Sequence, residues 1–250
     1  MSPITAGGSP TGSPGGFLGY TPSMSPEILE LATPDAPIEA VSAELRGEDS
    51  PGTPVLLAHG AGVPMDSPFM QHVAEGLAAS GRHPVLCFNY AYAERMRIEG
   101  KRRPPDRRPG LEAVHRAALA WLEERTGRRP VLAGKSMGGR MSSYLAAEGE
   151  GSGLLLYGYP LHPAAKPEKI RSEHFPSLAQ PALFLQGTRD ALATPALLEE
   201  QLETYGGQLA VHWIEEGDHD FAVPKRTGRS REEVLDELVR VSLEWLEGLD

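Results

Sequence analysis

Cysteine is almost absent from this chain of 250 residues: Cys87 is the only one. A single thiol can form no internal disulfide framework and no cysteine zinc cluster. It lies in the apolar run Val85-Leu86-Cys87-Phe88, where a buried core thiol is expected rather than a nucleophile. Long hydrophobic runs are missing as well, and none approaches the ~18 residues of a membrane span. The first residues carry no basic stretch followed by an apolar one. No secretory leader is therefore expected, and a cytoplasmic location is the default. Positive charge is scarce: 24 Lys and Arg face 34 Asp and Glu, a formal net charge of −10. That balance argues against a general nucleic-acid or membrane-surface binder. Internal repeats are also lacking.

What is present suffices for a core, since 40% of the residues are hydrophobic. Residues 1–26 are rich in Gly, Ser, Pro and Thr and bury too little to offset their ordering entropy. They are expected to form a flexible tail, with Phe17, Leu18 and Tyr20 as a small apolar cluster able to dock. Residues 27–250 are then one domain. Glu27 to Leu31 and Ile38 to Leu45 look extended, with Val41, Ala43 and Leu45 on the more apolar face.

From residue 55 onward, short apolar runs alternate with helical periodicity. Val55 to Ala58, Val85 to Tyr90, Val131 to Ala133, Leu154 to Tyr157, Ala182 to Leu185 and Leu209 to Ile214 read as strands. Continuous apolar runs of this kind belong to central parallel strands. Phe69, Val73 and Leu77 mark one amphipathic helix; Val234, Leu238, Val241 and Trp245 mark the closing one. The segment 92–110 shows no periodicity and is expected to be a basic loop. The alternation predicts an α/β fold: a mostly parallel central sheet with helices on both faces.

In such sheets, sites form at the carboxyl ends of strands. One of those ends carries Gly134-Lys135-Ser136-Met137-Gly138, a G-x-S-x-G pattern between a strand and a helix. This is the spacing of a nucleophile elbow, where glycines let backbone segments close around an exposed serine. Gly134-Lys135-Ser136 also resembles the end of a phosphate-binding P-loop. That motif requires glycine at position 129, where this chain has Arg129.

A serine hydroxyl needs a base to take its proton, and the base needs a group to fix its tautomer. Asp190 and His219 follow Ser136 in that order, each just beyond a different strand. Asp218 and Asp220 flank His219 too closely to orient its ring and are expected to be loop or cap residues. His162 and His174 are the rival bases. An oxyanion requires two N–H donors; Met137 can supply one and Ala61, in the loop His59-Gly60-Ala61-Gly62, the other. His59 is expected to brace that loop.

Four stretches agree in order: Leu57 to Gly62, Gly134 to Arg140, Gly187 to Asp190 and Gly217 to Phe221. Together they resemble the α/β-hydrolase superfamily, over roughly residues 38–248. Lys135 before the serine and the Arg-rich segment around Pro104-Pro105-Asp106 resemble a subgroup named for testis-expressed and NSL-complex-subunit homologues, related to dienelactone hydrolases. The resemblance implies an α/β-hydrolase fold with little or no cap domain. It implies Ser136, Asp190 and His219 as nucleophile, acid and base, with Ala61 and Met137 at the oxyanion hole. Dienelactone hydrolases proper use a cysteine nucleophile, and this chain has serine.

The implied activity is that of a serine hydrolase, carboxylesterase-like, acting through an acyl-enzyme on a small ester or acyl compound, with no metal and no other cofactor. The alternatives are a non-catalytic scaffold of the same fold, and an acyltransferase or peptidase. Seven basic residues in segment 92–110 suggest a local positive patch, so Arg102 and Arg103 are candidate contacts for an anionic substrate group. A site partly covered by this segment is expected.

Overall fold

The computed structural model describes residues 26–249. The expected tail, with Phe17, Leu18 and Tyr20, therefore lies outside the described residues apart from Pro26. The chain opens with an antiparallel pair, β1 (Glu27–Ala32) and β2 (Ala40–Arg46), in which Leu31 faces Val41 and Leu29 faces Ala43. The two-residue alternation read in β2 is the observed one: Val41, Ala43 and Leu45 are buried, and the residues between them less so.

The remaining strands alternate with helices. In order they are β3 (Val55–Ala58), α1 (Pro68–Ala79), β4 (Val85–Phe88), α2 (Ala91–Glu99), α3 (Arg108–Thr126), β5 (Val131–Lys135), α4 (Met137–Ala147) and β6 (Gly153–Tyr157). After them come β7 (Ala182–Gly187), α5 (Pro195–Leu202), β8 (Leu209–Ile214) and α6 (Arg231–Glu247). One eight-stranded sheet results, in the order β1-β2-β4-β3-β5-β6-β7-β8. From β4 to β8 every pairing is parallel, while β2 joins β4 in antiparallel register.

The period of two along each strand sorts the core into two layers. Leu56, Leu86, Leu132, Leu154 and Phe184 face one way, toward the apolar stripes of α3, α4 and α5. Their neighbours Leu57, Cys87, Ala133, Leu155 and Leu185 face the other way, toward α1 and α6. Cys87 is fully buried there, and burial pushes its thiol up to about 12. Helix α6 begins with a reciprocal capping box between Ser230 and Glu233, a device that satisfies two otherwise orphaned N–H groups.

Segment 92–110 differs from the sequence reading. Most of it is helix α2 and the start of α3, and its charges are largely paired. Arg95 pairs with Asp106, Arg97 with Glu94, Arg103 with Glu99 and Arg108 with Glu112. No cap domain is inserted among the described residues: between β6 and β7 there is only a three-residue 3-10 turn, Phe175–Ser177. No helix among them is long and apolar enough to cross a membrane.

Candidate active site

Strand β5 runs directly into α4, and Ser136 occupies the single residue between them. Its backbone has φ 51° and ψ −114°, a conformation that costs a non-glycine residue about 1–3 kcal/mol. Two bonds hold it there: its N–H donates to Tyr157 O at 2.9 Å, and its carbonyl accepts from Arg140 N–H at 3.0 Å. The flanking glycines answer to contact. A Cβ on Gly134 would stand 2.4 Å from Gly139 N, and one on Gly138 would stand 2.3 Å from Ala58 O. The turn can close only because both side chains are absent.

The loop after β8 brings His219 onto this serine. The Ser136 hydroxyl lies 2.8 Å from His219 Nε2, and His219 Nδ1 lies 2.7 Å from Asp190 Oδ2. Asp190 follows β7 and is 1% exposed. It accepts two further bonds, from Gln186 Nε2 at 2.5 Å and Leu192 N–H at 2.7 Å. With carboxylate oxygens filled by donors, Nδ1 must carry the imidazole proton, leaving Nε2 as an acceptor for the serine O–H. The arrangement can therefore move the Ser136 proton onto His219. Gln186, which sequence reasoning passed over, positions the acid; its only signal was a polar residue inside an apolar strand.

The other residues named from the sequence fall as follows. The N–H groups of Met137 and Ala61 have no intramolecular acceptor among the described residues, so both are free to donate to a bound oxygen. The Ala61 loop is held by Tyr92, whose hydroxyl donates to Gly60 O at 3.1 Å and accepts from Gly62 N–H at 3.2 Å. Gly62 has φ +76°, whereas Gly60 has room for a methyl group. His59 lies beneath the loop, fully buried. Its Nδ1–H donates to Gly60 O at 2.8 Å and its Nε2 accepts from Tyr90 N–H at 3.0 Å. Burial holds it down to about 4, so it is a neutral brace.

Asp218 caps its own turn, accepting from the N–H groups of Asp220 and Ala222. His162 and His174 pair elsewhere, with Pro163 O and with Ser143 Oγ.

A cavity of about 790 Å³ opens over Ser136 and His219, with Phe69, Met70, Val63 and Leu192 as its apolar walls. No residue of segment 92–110 lines it. The structure thus does not bring Arg102 or Arg103 to the serine: Arg103 lies on the surface against Glu99. Two cations do line the cavity, Arg231, which is exposed, and Lys135, 5% exposed. For Lys135 the surroundings are close. Its ammonium donates to His219 O at 2.6 Å and stands 3.9 Å from Asp220 Oδ1. Burial lowers its pKa to about 8, against the opposing pull of Asp220, Asp190 and Asp218. No group of three or more His, Cys, Asp or Glu side chains among the described residues is placed to hold a metal ion.

Comparison with known proteins agrees with this geometry. A family model described as an alpha/beta hydrolase domain matches residues 51–247. The chain belongs to the α/β-hydrolase family. As a fold, this α/β-hydrolase is similar to a dienelactone hydrolase from Anabaena variabilis, at 21% identity and a TM-score of 0.67, over 90% of this chain and 99% of the other. It is also similar to a serine hydrolase without a lid from Xanthomonas campestris, at 20% identity and a TM-score of 0.61, over 89% and 98% of the two chains. A cold-adapted esterase from an Arctic intertidal metagenomic library matches at 21% identity and a TM-score of 0.63, over 88% and 92%. At such identities the likeness carries the fold of this α/β-hydrolase and leaves its chemistry to its own residues.

Proposed function

We propose that this protein is a serine hydrolase that cleaves a small carboxylic ester or related acyl compound through an acyl-enzyme. The observation that carries the reading is the unbroken chain from Ser136 Oγ through His219 to Asp190, at the mouth of an apolar-walled cavity. Membership in the α/β-hydrolase family supports it, as do the dienelactone hydrolase and esterase that share the fold. Residues 27–250 are read as one catalytic domain.

In this mechanism Ser136 Oγ attacks the substrate carbonyl carbon while its proton passes to His219 Nε2. The carbonyl oxygen, now an anion, accepts from the N–H groups of Ala61 and Met137. Each such donor is worth about 2.7–4 kcal/mol when it meets the charge formed in the transition state. Because Met137 opens α4, the positive end of that helix adds to the stabilisation. The imidazolium is stabilised by Asp190. It returns the proton to the leaving alkoxide, and the C–O ester bond breaks. A water then enters, gives its proton to Nε2 and attacks the acyl carbon. Collapse releases the carboxylic acid and restores the Ser136 hydroxyl. Fixing three groups on three strand ends in advance removes most of the orientational cost.

A fluorophosphonate probe tests this. It should label the wild-type protein at Ser136 and leave Ser136→Ala unlabelled. Absence of wild-type labelling would favour a scaffold that keeps the fold without turnover. A panel of p-nitrophenyl esters of increasing chain length then defines the acyl group.

A further inference from the structure

We infer that Lys135 is a positioning residue for the proposed hydrolysis: its ammonium fixes the backbone of His219, and through it the reach of the imidazole to Ser136. The inference rests on the hydrolase reading above and deepens it, by giving a task to the variable residue of the elbow.

Lys135 ends β5, a strand whose other residues are apolar or glycine, and stands in register with Tyr157 of β6. Burying an ammonium is costly unless it is paired and hydrogen-bonded. Here the surroundings are specific. Phe69 of α1 and Phe221 of the loop after β8 stack on each other, their centroids 5.9 Å apart. The ammonium stands 5.9 and 5.4 Å from those centroids, within the range of a cation–π contact. Its one hydrogen bond goes to His219 O at 2.6 Å, and the Asp220 carboxylate lies 3.9 Å away.

That bond is also the one the His219 backbone has. Its carbonyl accepts from nothing else among the described residues, and its N–H has no acceptor among them. The loop around it is bent. Glu216 and Phe221 both have φ 59°, a left-handed backbone that disfavours a side chain. Phe221 is held by full burial, and Asp218 by the N–H groups of Asp220 and Ala222. His219 lies between these two fixed points, with its side chain 24% exposed. Gly158, just after β6, keeps the meeting point clear. It has φ +61°, and a Cβ there would stand 3.1 Å from Lys135 Nζ and 3.2 Å from His219 O.

The imidazole must hold two contacts at once, Nε2 at 2.8 Å from the Ser136 hydroxyl and Nδ1 at 2.7 Å from Asp190. A shift of the His219 backbone changes both together, and a misplacement of about 1 Å at such a site costs on the order of 100-fold in rate. Lys135 therefore acts through His219. Were it a contact for the substrate instead, KM would carry its loss.

The test uses the whole chain and p-nitrophenyl butyrate, a neutral ester. Expressing kcat per active site titrated with a fluorophosphonate removes any loss of folded protein from the comparison. Lys135→Met should lower kcat about tenfold and slow fluorophosphonate labelling by a like factor, with KM within about twofold of wild type. Lys135→Gln keeps a neutral donor and should recover part of kcat. Gly158→Ala presses on the same contact from β6 and should lower kcat with KM kept, so the test stands if Lys135→Met does not fold. Wild-type kcat in a folded Lys135→Met or Gly158→Ala overturns the inference. So does a loss carried by KM, or a Lys135→Gln no faster than Lys135→Met. Each of these leaves the hydrolase reading standing. A wild type that neither cleaves the ester nor takes the label overturns both.

Discussion

Lys135 occupies the variable position just before the proposed nucleophile, and its burial makes a prediction that stability measurements can read. A fall from 10.5 to about 8 corresponds to about 3 kcal/mol between the two protonation states. The group is almost wholly buried, so solvent screening leaves that figure largely intact. Below pH 8 the amine is charged in both folded and unfolded chains, and the burial penalty is present in full. Between about pH 8 and 10.5 the unfolded chain keeps the proton that the folded chain has released, so stability rises with pH across this window. Lys135→Met removes the titration while keeping an unbranched side chain of similar length. It also removes the donor to His219 O, a charged hydrogen bond worth about 1.5–3 kcal/mol. At pH 7 the two effects oppose each other and the variant should lie within a few kcal/mol of wild type. Urea denaturation at pH 7 and again at pH 10.5 should show wild type gaining about 3 kcal/mol on the variant. Every other titrating group is common to both proteins and cancels in the difference. A difference that does not move with pH would refute the reasoning and mean that Lys135 titrates in the folded chain as it does in the unfolded one. Activity gives a second readout, because the His219 carbonyl loses its anchor. The variant's kcat should fall about tenfold, with KM for a neutral ester changing less.

Two more predictions follow from distances at the site. Asp190→Asn keeps the shape but can donate to Nδ1, favouring the tautomer that cannot accept the serine proton; kcat for an ester should fall by about 10³–10⁴ with the fold intact by circular dichroism. Gly138→Ala places a methyl group 2.3 Å from Ala58 O, while Gly60→Ala meets nothing nearer than 3.5 Å. Thermal unfolding should show the first variant destabilised by more than about 3 kcal/mol and the second within about 0.5 kcal/mol of wild type. Equal effects would mean the elbow has slack that its contacts do not reveal.

Much of this was legible in the sequence because the readable features are local. The strands from β3 onward declare themselves as apolar runs, and the helices that cover them repeat every three to four residues. The elbow is five consecutive residues, Gly134 to Gly138, whose spacing is itself the geometry. Segment 92–110 was unreadable for an equally physical reason. In α2 the buried positions are Ala91 to Glu94, all in the first turn. Beyond them the helix is held by ion pairs rather than by an apolar stripe. One of those pairs joins Arg95 to Asp106, across a break in the helix that no periodicity spans. Of the seven basic residues that looked like a free positive patch, four are paired, Arg95, Arg97, Arg103 and Arg108. The antiparallel start of the sheet was half-legible: the alternation in β2 shows a strand with one buried face, but nothing local says that it pairs with β4.

The residues on either side of Ser136 show where the limit lies. A period of two puts Lys135 on the same face of β5 as Val131 and Ala133, and both of those belong to the layer under α1 and α6. That much follows from the strand alone. Its ammonium ends between the Phe69 and Phe221 rings, 5.9 and 5.4 Å from their centroids, and on the carbonyl of His219. Those partners come from a helix far before it and a loop far after it. Arg140 is the counterpart on the other layer. Helical spacing places it one turn behind the serine, while Arg171 and His174, on which its charge acts, come from the segment between β6 and β7. In both cases the sequence states which way the cation points, and only the assembled sheet states what it meets. At Lys135 the meeting is with the His219 carbonyl and the Asp220 carboxylate, so the charge is used inside the protein. At Arg140 the Nε is buried and meets no hydrogen-bond partner among the described residues.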